Sequence, residues 1–490
     1  MQLESYFKNP HFDLFELQKQ AVEETLKKIT FLIRGEAGSG KTIITVYLIK
    51  IWLTLGLIKN VLILTKNEVL HKYKKDLLDH IPFLRETDIK VMENNEDRQL
   101  FDTQAKIYIC DYNQVKLVYT QYAGKLPSKS ERKRTIIKKV FPVNKDWAVV
   151  MDEGQACKNL KSDIHKIIYK NVRDAVSKVI TSGTPIEKPE EYFALFRILN
   201  EKLLGSFHFF MRDLAVLRKG TYAPIYYKES GLRKLNQKIS PYMMTVYKDD
   251  IREIPKKTIT DIEVEFTPDF LAEYDIEKAN LQRVAYREGR AFYRKVATLI
   301  QPIYNKIKEI REDNPRFAKF DSMLRRFIAS EKVIVWERSP SVMNRLSEYY
   351  KDKGIENLVI HGEVDKYDRT RLISLFNTES KYRILFISYL IGGEAWEIPS
   401  RPDCKRSIFY SIPDRDISFT QCINRQHRLN SESPVFIYRL VLKESIDEWA
   451  RSLLDYKSKL NKGIIENEQY EDMSYASYER FLGIDKNSII

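Results

Sequence analysis

A pair of α/β lobes, each a doubly wound parallel sheet, with a helical insertion between them is the architecture that this 490-residue chain predicts. Three features lead there. Up to about Asn200, short apolar runs alternate with helical patterns; after Glu331 the same rhythm returns; between them the texture is charged and helix-compatible. In the first lobe the runs are Thr30–Arg34, Asn60–Leu64, Lys106–Cys110, Trp147–Met151 and Lys178–Thr181. They are rich in β-branched and large apolar residues without alternation, as strands covered on both faces require. Helical patterns such as Ile43–Leu55 and Leu70–Leu77 lie between them, and that alternation builds parallel sheets. In the insertion, Leu271–Glu309 is the longest continuous helix-compatible segment, and only Thr258–Phe266 reads as extended, with Ile262, Val264 and Phe266 alternating against acidic neighbours. Second-lobe strands are expected at Val333–Trp336, Asn357–Ile360, Arg383–Ser388, Ser407–Ser411 and Val435–Leu440. The expected boundaries are 1–200 for the N-terminal lobe, 201–327 for the insertion and linker, 328–450 for the C-terminal lobe and 451–490 for a helical tail.

Length allows two or three full-sized domains, and 43% hydrophobic with 31% charged residues excludes a wholly disordered chain. Lysine plus arginine number 82 against 68 acidic residues, a net charge of 82 − 68 = +14. A polyanionic partner such as nucleic acid fits that balance, although a basic surface also serves solubility. Cys110, Cys157, Cys404 and Cys422 are far apart and form no CxxC pair, and the seven histidines have no ligand spacing. Neither a disulfide framework nor a cysteine zinc site is expected. No apolar core follows Met1, so a secretory signal is not expected. The most apolar stretch, Ile43–Ile58, carries Lys50 and falls short of the roughly 20 residues of a membrane span. The expectation is a soluble, cytoplasmic, monomeric protein without a membrane partner.

Gly35-Glu36-Ala37-Gly38-Ser39-Gly40-Lys41-Thr42 fits G-x-x-x-x-G-K-[ST] between an expected strand and an expected helix. Glycines let backbone N–H groups turn toward phosphate oxygens, and the following helix adds its dipole. Lys41 would reach the β- and γ-phosphates of ATP or GTP, and the Thr42 hydroxyl would ligate Mg²⁺. Asp152-Glu153-Gly154-Gln155 follows the strand Trp147–Met151. There Asp152 can hold the Mg²⁺ and Glu153 can polarise the attacking water as a general base. An Asp-Glu pair after a strand also serves as a plain helix cap; the upstream phosphate loop favours the catalytic assignment.

These ordered motifs resemble helicase superfamily two, and within it the Swi/Snf family of DNA-dependent ATPases, over nearly the whole chain. Leu14–Gln18 with Ala21-Val22 is similar to the glutamine motif, which implies that Gln18 reads adenine. Leu62–Thr65 followed by Tyr73 resembles the motif that touches the nucleic-acid backbone, implying contacts from Thr65 and Lys66. Thr181-Ser182-Gly183-Thr184-Pro185 resembles the third motif, whose small hydroxyl residues can relay movement from the ATP site. His361-Gly362, Arg369 and Phe376-Asn377 fall at second-lobe motif positions; Gly392-Gly393 resembles the fifth motif, and Gln421–Arg428 is close to the sixth, Q-x-x-x-R-x-H-R. Arg425 and Arg428, three apart and expected on one helix face, would project toward a γ-phosphate as arginine fingers, with Gly393 and Gln421 at the nucleotide. Leu235–Lys257, then Phe266-Thr267-Pro268 and Tyr274, resembles the family's helical protrusion and linker. The chain departs from the pattern in three places: Gly154-Gln155 replaces Ala-His, Ala395 and Glu397 replace Gly and Asn, and Met243-Met244-Thr245 stand where arginine is usual.

The resemblance implies two RecA-like lobes using ATP and Mg²⁺, and a translocase that tracks along duplex or branched DNA in replication, recombination or repair, in a bacterial or phage-infected cell. A strand-separating DNA or RNA helicase and an ATP-gated nucleic-acid switch or loader are the alternatives. Lys125–Lys139 has seven basic residues and one acidic residue. Lys129, Arg132, Lys133 and Arg134 in it are candidate phosphate contacts, without sequence specificity, or a solvated loop.

Overall fold

Fifteen strands and their helices are described by a computed structural model, which covers residues 4–7, 14–36, 38–93, 105–123, 141–183, 186, 188–222, 224–288, 298–391, 398–413 and 415–466. The strands are β1 (Thr30–Gly35), β2 (Asn60–Thr65), β3 (Ile89–Met92), β4 (Ile107–Asp111), β5 (Trp147–Met151), β6 (Ser177–Ser182), β7 (Ala215–Leu217), β8 (Pro224–Tyr227), β9 (Met243–Val246), β10 (Lys257–Val264), β11 (Val333–Glu337), β12 (Asn357–Ile360), β13 (Ile384–Ser388), β14 (Arg406–Phe409) and β15 (Val435–Leu442). Every expected strand is present, displaced by at most two residues at an end. The chain forms two compact units, one built mainly on residues 1–253 and the other mainly on 254–459.

The first unit is built on a seven-stranded sheet in the order β3-β4-β2-β5-β6-β1-β9. All its pairings are parallel. β4, β5 and β6 are buried at every position, as strands covered on both faces are, and β5 is an unbroken apolar run. In the second unit six parallel strands run β10-β15-β14-β11-β13-β12.

The segment 201–327 differs most from expectation, because it supplies a strand to each sheet. β9 pairs with β1 from Leu32↔Met243 to Gly35↔Val246, and β10 pairs with β15 over eight residues. Met243 and Met244 stand where arginine is usual because they are half-buried strand residues here, and the Tyr192 hydroxyl meets the Met243 sulfur. The same segment holds a β7–β8 antiparallel hairpin. Within the helix-compatible stretch Leu271–Glu309, the helix Pro268–Glu288 reaches Glu288, and a further helix starts at Gln301 after a turn at Ile300. Pro302 stands in that helix's first turn, where a residue without an N–H costs nothing.

Two ion pairs are buried in the second unit: Lys308 Nζ to Glu337 Oε1 on β11 at 2.8 Å, and Arg316 Nε to Asp447 Oδ2 at 3.0 Å between the helices Pro315–Ile328 and Ile446–Glu466. Asn314 caps the helix Pro315–Ile328, its side chain accepting from the N–H groups of Arg316 and Phe317. The four cysteines are buried and unpaired. Among the described residues no helix is long and apolar enough to cross a membrane.

Candidate functional site

β1 ends at Gly35, and the chain turns directly into the helix Lys41–Thr54. Gly38 and Gly40 hold φ of 88° and 81°, the left-handed region that glycine enters without cost. Gly40 is also crowded: a Cβ there would lie 2.3 Å from Gln18 Nε2. Lys41 is buried and folds over the loop, its Nζ donating to the carbonyls of Gly35 (2.8 Å) and Glu36 (3.1 Å). The Ser39 hydroxyl is buried with no hydrogen-bond partner among the described residues. A buried hydroxyl left so is costly, and a phosphate oxygen would satisfy it. Thr42 lies half-buried in the first turn, where the helix dipole favours an anion.

Gln18 holds this loop in place. It is 1% exposed; its Oε1 accepts from Phe15 N–H (3.1 Å) and its Nε2 donates to the Ser39 carbonyl (3.1 Å). On the other side of the loop, β9 contributes a contact from Glu36 N–H to the Val246 carbonyl, and Glu36 faces the buried Lys248.

Asp152 and Glu153 follow β5, which is separated from β1 by β6 alone. The end of β6 therefore stands beside both loops. Asp152 is buried and accepts Thr181 Oγ1–H at 2.6 Å and Thr65 Oγ1–H at 3.0 Å, one on each carboxylate oxygen. Its carbonyl accepts Tyr112 O–H at 2.7 Å. Burial pushes its carboxyl up from the ordinary aspartate range, as does Glu153, while Thr181, Lys41 and Thr65 pull it back.

Glu153 has φ 52° and ψ 45°, a left-handed conformation that costs a non-glycine residue on the order of 1–3 kcal/mol and concentrates at functional sites. It turns the carboxylate toward Gln155, whose Nε2 donates to Glu153 Oε2 at 2.5 Å. Gln155 Oε1 in turn accepts Ser182 Oγ–H at 2.6 Å. The glutamine that stands in place of the usual histidine thus still joins the second acidic residue to the end of β6. Gly154 reflects close packing, since a Cβ there would lie 2.4 Å from Ile180 Cγ2.

The expected nucleic-acid contact of the Thr65 side chain is corrected. Thr65 is fully buried with its hydroxyl on Asp152, so it faces the acidic site and not a DNA surface. Tyr73, also fully buried, meets the Thr45 hydroxyl one turn into the phosphate-loop helix. Lys66, the next residue, is half-buried. Lys129, Arg132, Lys133, Arg134 and Gly393 lie outside the described residues, as do Thr184, Pro185, Ala395 and Glu397.

In the second unit, the helix Asp416–Gln426 carries Gln421, half-buried, and Arg425, 8% exposed. Arg428 does not share its helix face, contrary to expectation. His427 leaves the helix with φ −89° and ψ 96°, and its Nε2 meets the Pro255 carbonyl at 2.9 Å. Arg428 therefore sits beyond the helix end, its N–H donating to Ser431 Oγ at 2.8 Å. Arg369 holds the turn after His361, donating to the carbonyls of Val364 (2.7 Å) and Gly362 (2.6 Å).

Tyr112, and Thr65 and Thr181 as partners of Asp152, are what sequence reasoning missed. The only signal for the threonines was a hydroxyl residue closing an apolar strand run beside the acidic one.

Compared with known proteins, residues 18–314 match the SNF2-related domain and residues 317–430 match the helicase conserved C-terminal domain. An uncharacterised ATP-dependent helicase of Mycoplasma genitalium is 24% identical over 64% of this chain and 30% of its own length. An uncharacterised ATP-dependent helicase of Bacillus subtilis is 22% identical over 93% of this chain and 80% of its own. The ATP-dependent DNA helicase DDM1 of Arabidopsis thaliana is 24% identical over 66% and 46%. The chain thus spans less than a third of the Mycoplasma relative. Among solved structures, the Sulfolobus solfataricus SWI2/SNF2 ATPase core in complex with dsDNA is similar at TM-score 0.43 and 18% identity, over 97% of this chain and 98% of that one.

Proposed function

Because this chain belongs to the SNF2-related family of helicase superfamily two, we propose that it is a DNA-dependent ATPase that moves along duplex or branched DNA. The observation that carries this reading is the line of contacts from Glu153 through Gln155 to Ser182, beside Asp152 on Thr181. Such a line lets the end of β6 respond to what occupies the phosphate loop, which a simple nucleotide-binding site does not need. ATP is the nucleotide named for the helicase relatives. DNA is named for the Arabidopsis relative, and the net charge of +14 suits a polyanion.

In this reading the loop amides, Lys41 and Ser39 hold the phosphates, and Gln18 keeps the loop in shape at the adenine side. Thr42 and Asp152 would hold Mg²⁺. Phosphate oxygens and water would supply its remaining ligands, as is usual for this ion. Bound there, Mg²⁺ supplies neutralising charge at the phosphates. Glu153 accepts a proton from the attacking water, with its carboxylate oriented by Gln155. For Arg425 and Arg428 the resemblance implies the role of arginine fingers, and for Gln421 and Gly393 that of nucleotide contacts. Lys66 and the stretch 125–139, with Lys129, Arg132, Lys133 and Arg134, are proposed phosphate contacts of the DNA. Work at replication, recombination or repair intermediates is the setting that fits such a motor.

Lys41→Ala and Glu153→Gln test the assignment. Each is expected to lower ATP turnover at least about 100-fold while affinity for labelled duplex DNA stays within about twofold. Turnover near wild type in Glu153→Gln would remove it as the general base.

A further inference from the structure

We propose that the β7–β8 hairpin is a contact for unpaired DNA bases, with Tyr222 as the platform on which a base stacks. This rests on the reading of the chain as a DNA motor and specifies the DNA structure it prefers. The hairpin lies in the first unit between the helices Phe207–Leu214 and Glu229–Ile239. Its strands pair Ala215 with Tyr227 and Val216 with Tyr226. The turn between them is closed by Thr221 N–H on the Arg218 carbonyl at 3.0 Å, with Gly220 at φ 72°.

Tyr222 is 49% exposed, yet it is held firmly. Its ring packs at 5.3 Å on Phe207, which in turn packs at 5.1 Å on the buried Phe193. Its hydroxyl is 3.2 Å from His208 Nδ1. Phe209, 66% exposed, meets the edge of His208 at 5.5 Å. Aromatic rings therefore run without a break from the core of the unit to solvent at the hairpin. A single exposed aromatic residue is ordinary. A ring fixed from behind and open in front, in a continuous aromatic patch, is built to receive another flat apolar surface.

Charge selects what that surface is. Arg218 and Lys219, at the turn, are exposed and make no ion pair with a described residue. Of the acids near the hairpin, Asp213 pairs with Lys234 and Glu229 with Arg233, while Glu190 accepts the Tyr227 hydroxyl. Lysine is depleted at the centres of protein–protein interfaces, whereas a pair of cations beside an aromatic platform is the recurring arrangement for single-stranded nucleic acid. Inside a duplex the base faces are occupied by their neighbours. Only a fork, a frayed end or a gap offers a face to Tyr222, so the hairpin distinguishes such DNA from continuous duplex.

The test measures affinity of the full chain for a blunt duplex and for a fork of equal paired length, labelled for anisotropy, with 2-aminopurine at the first unpaired position. Wild type is expected to bind the fork about tenfold more tightly, the scale of one stacked base, and to change the 2-aminopurine emission. Tyr222→Ala should lose the preference and the emission change with duplex affinity kept within about twofold; Tyr222→Trp should keep both. Arg218→Ala with Lys219→Ala should flatten the salt dependence of fork binding by a slope of about one to two. An emission change and preference that survive Tyr222→Ala, or equal loss on fork and duplex, would overturn the proposal. Duplex binding with stimulated ATPase but no fork preference in wild type sinks the hairpin assignment alone. Failure to bind either DNA sinks the motor reading with it.

Discussion

Gly154 has room for a hydrogen and nothing more, because Ile180 on β6 fills the space a Cβ would take. Gly154→Ala is therefore expected to destabilise the first unit by about 1–3 kcal/mol, the usual cost of overpacking, read by chemical denaturation. In an Ile180→Ala background the same change should cost clearly less, with a coupling on the order of 1 kcal/mol; additive effects would contradict the packing explanation. The two acidic residues and the phosphate loop were legible in the sequence, since their types and spacing state their chemistry. What Gln155 does was not. By sequence it reads as the loss of a histidine, and only the approach of β6 shows its amide bridging Glu153 and Ser182. Thr65 misled for the same reason: a strand-end threonine does not disclose which way its hydroxyl turns.

Elements were legible where local pattern decides them. Fully buried strands such as β5 and β11 are continuous apolar runs, and their ends fell within two residues of expectation. Elements fixed by distant partners were not. β9 is four residues long and becomes a strand by pairing with β1, over 200 residues away. The helix carrying Arg425 stops where His427 meets Pro255, 172 residues earlier in the chain. The helix Asp163–Val172, just after the acidic loop, makes a prediction of its own. Burial holds the His165 imidazole down to about 4, although its contact with the Cys157 carbonyl pulls the other way. The unfolded imidazole titrates near 6.5, so between these values the unfolded chain binds a proton that the folded chain refuses. Stability is then full above about pH 6.5 and falls as pH drops toward 4, by on the order of 3 kcal/mol. Denaturation midpoints across that window should show the slope in wild type and a shallower one in His165→Asn. Identical slopes would remove His165 as the cause.

For the whole molecule, the pair of parallel sheets was predicted from alternation alone, and the chain has them. The extent of each unit was harder to read. The stretch 201–327 is charged and helix-compatible by composition, yet one of its strands completes each sheet, and the chain passes from the first unit to the second within it, at Glu253 and Ile254. β10 showed its alternation in the sequence, but β9, four residues at a sheet edge, carries little periodicity, so its membership is decided by pairing and not by pattern. In a DNA motor of this kind, ATP turnover answers to DNA. Steady-state ATPase measured without nucleic acid, then with single-stranded, duplex and four-way-junction DNA and with RNA, tests it most directly. Strong stimulation by duplex or junction DNA is the predicted result; turnover unchanged by every one of them would contradict it.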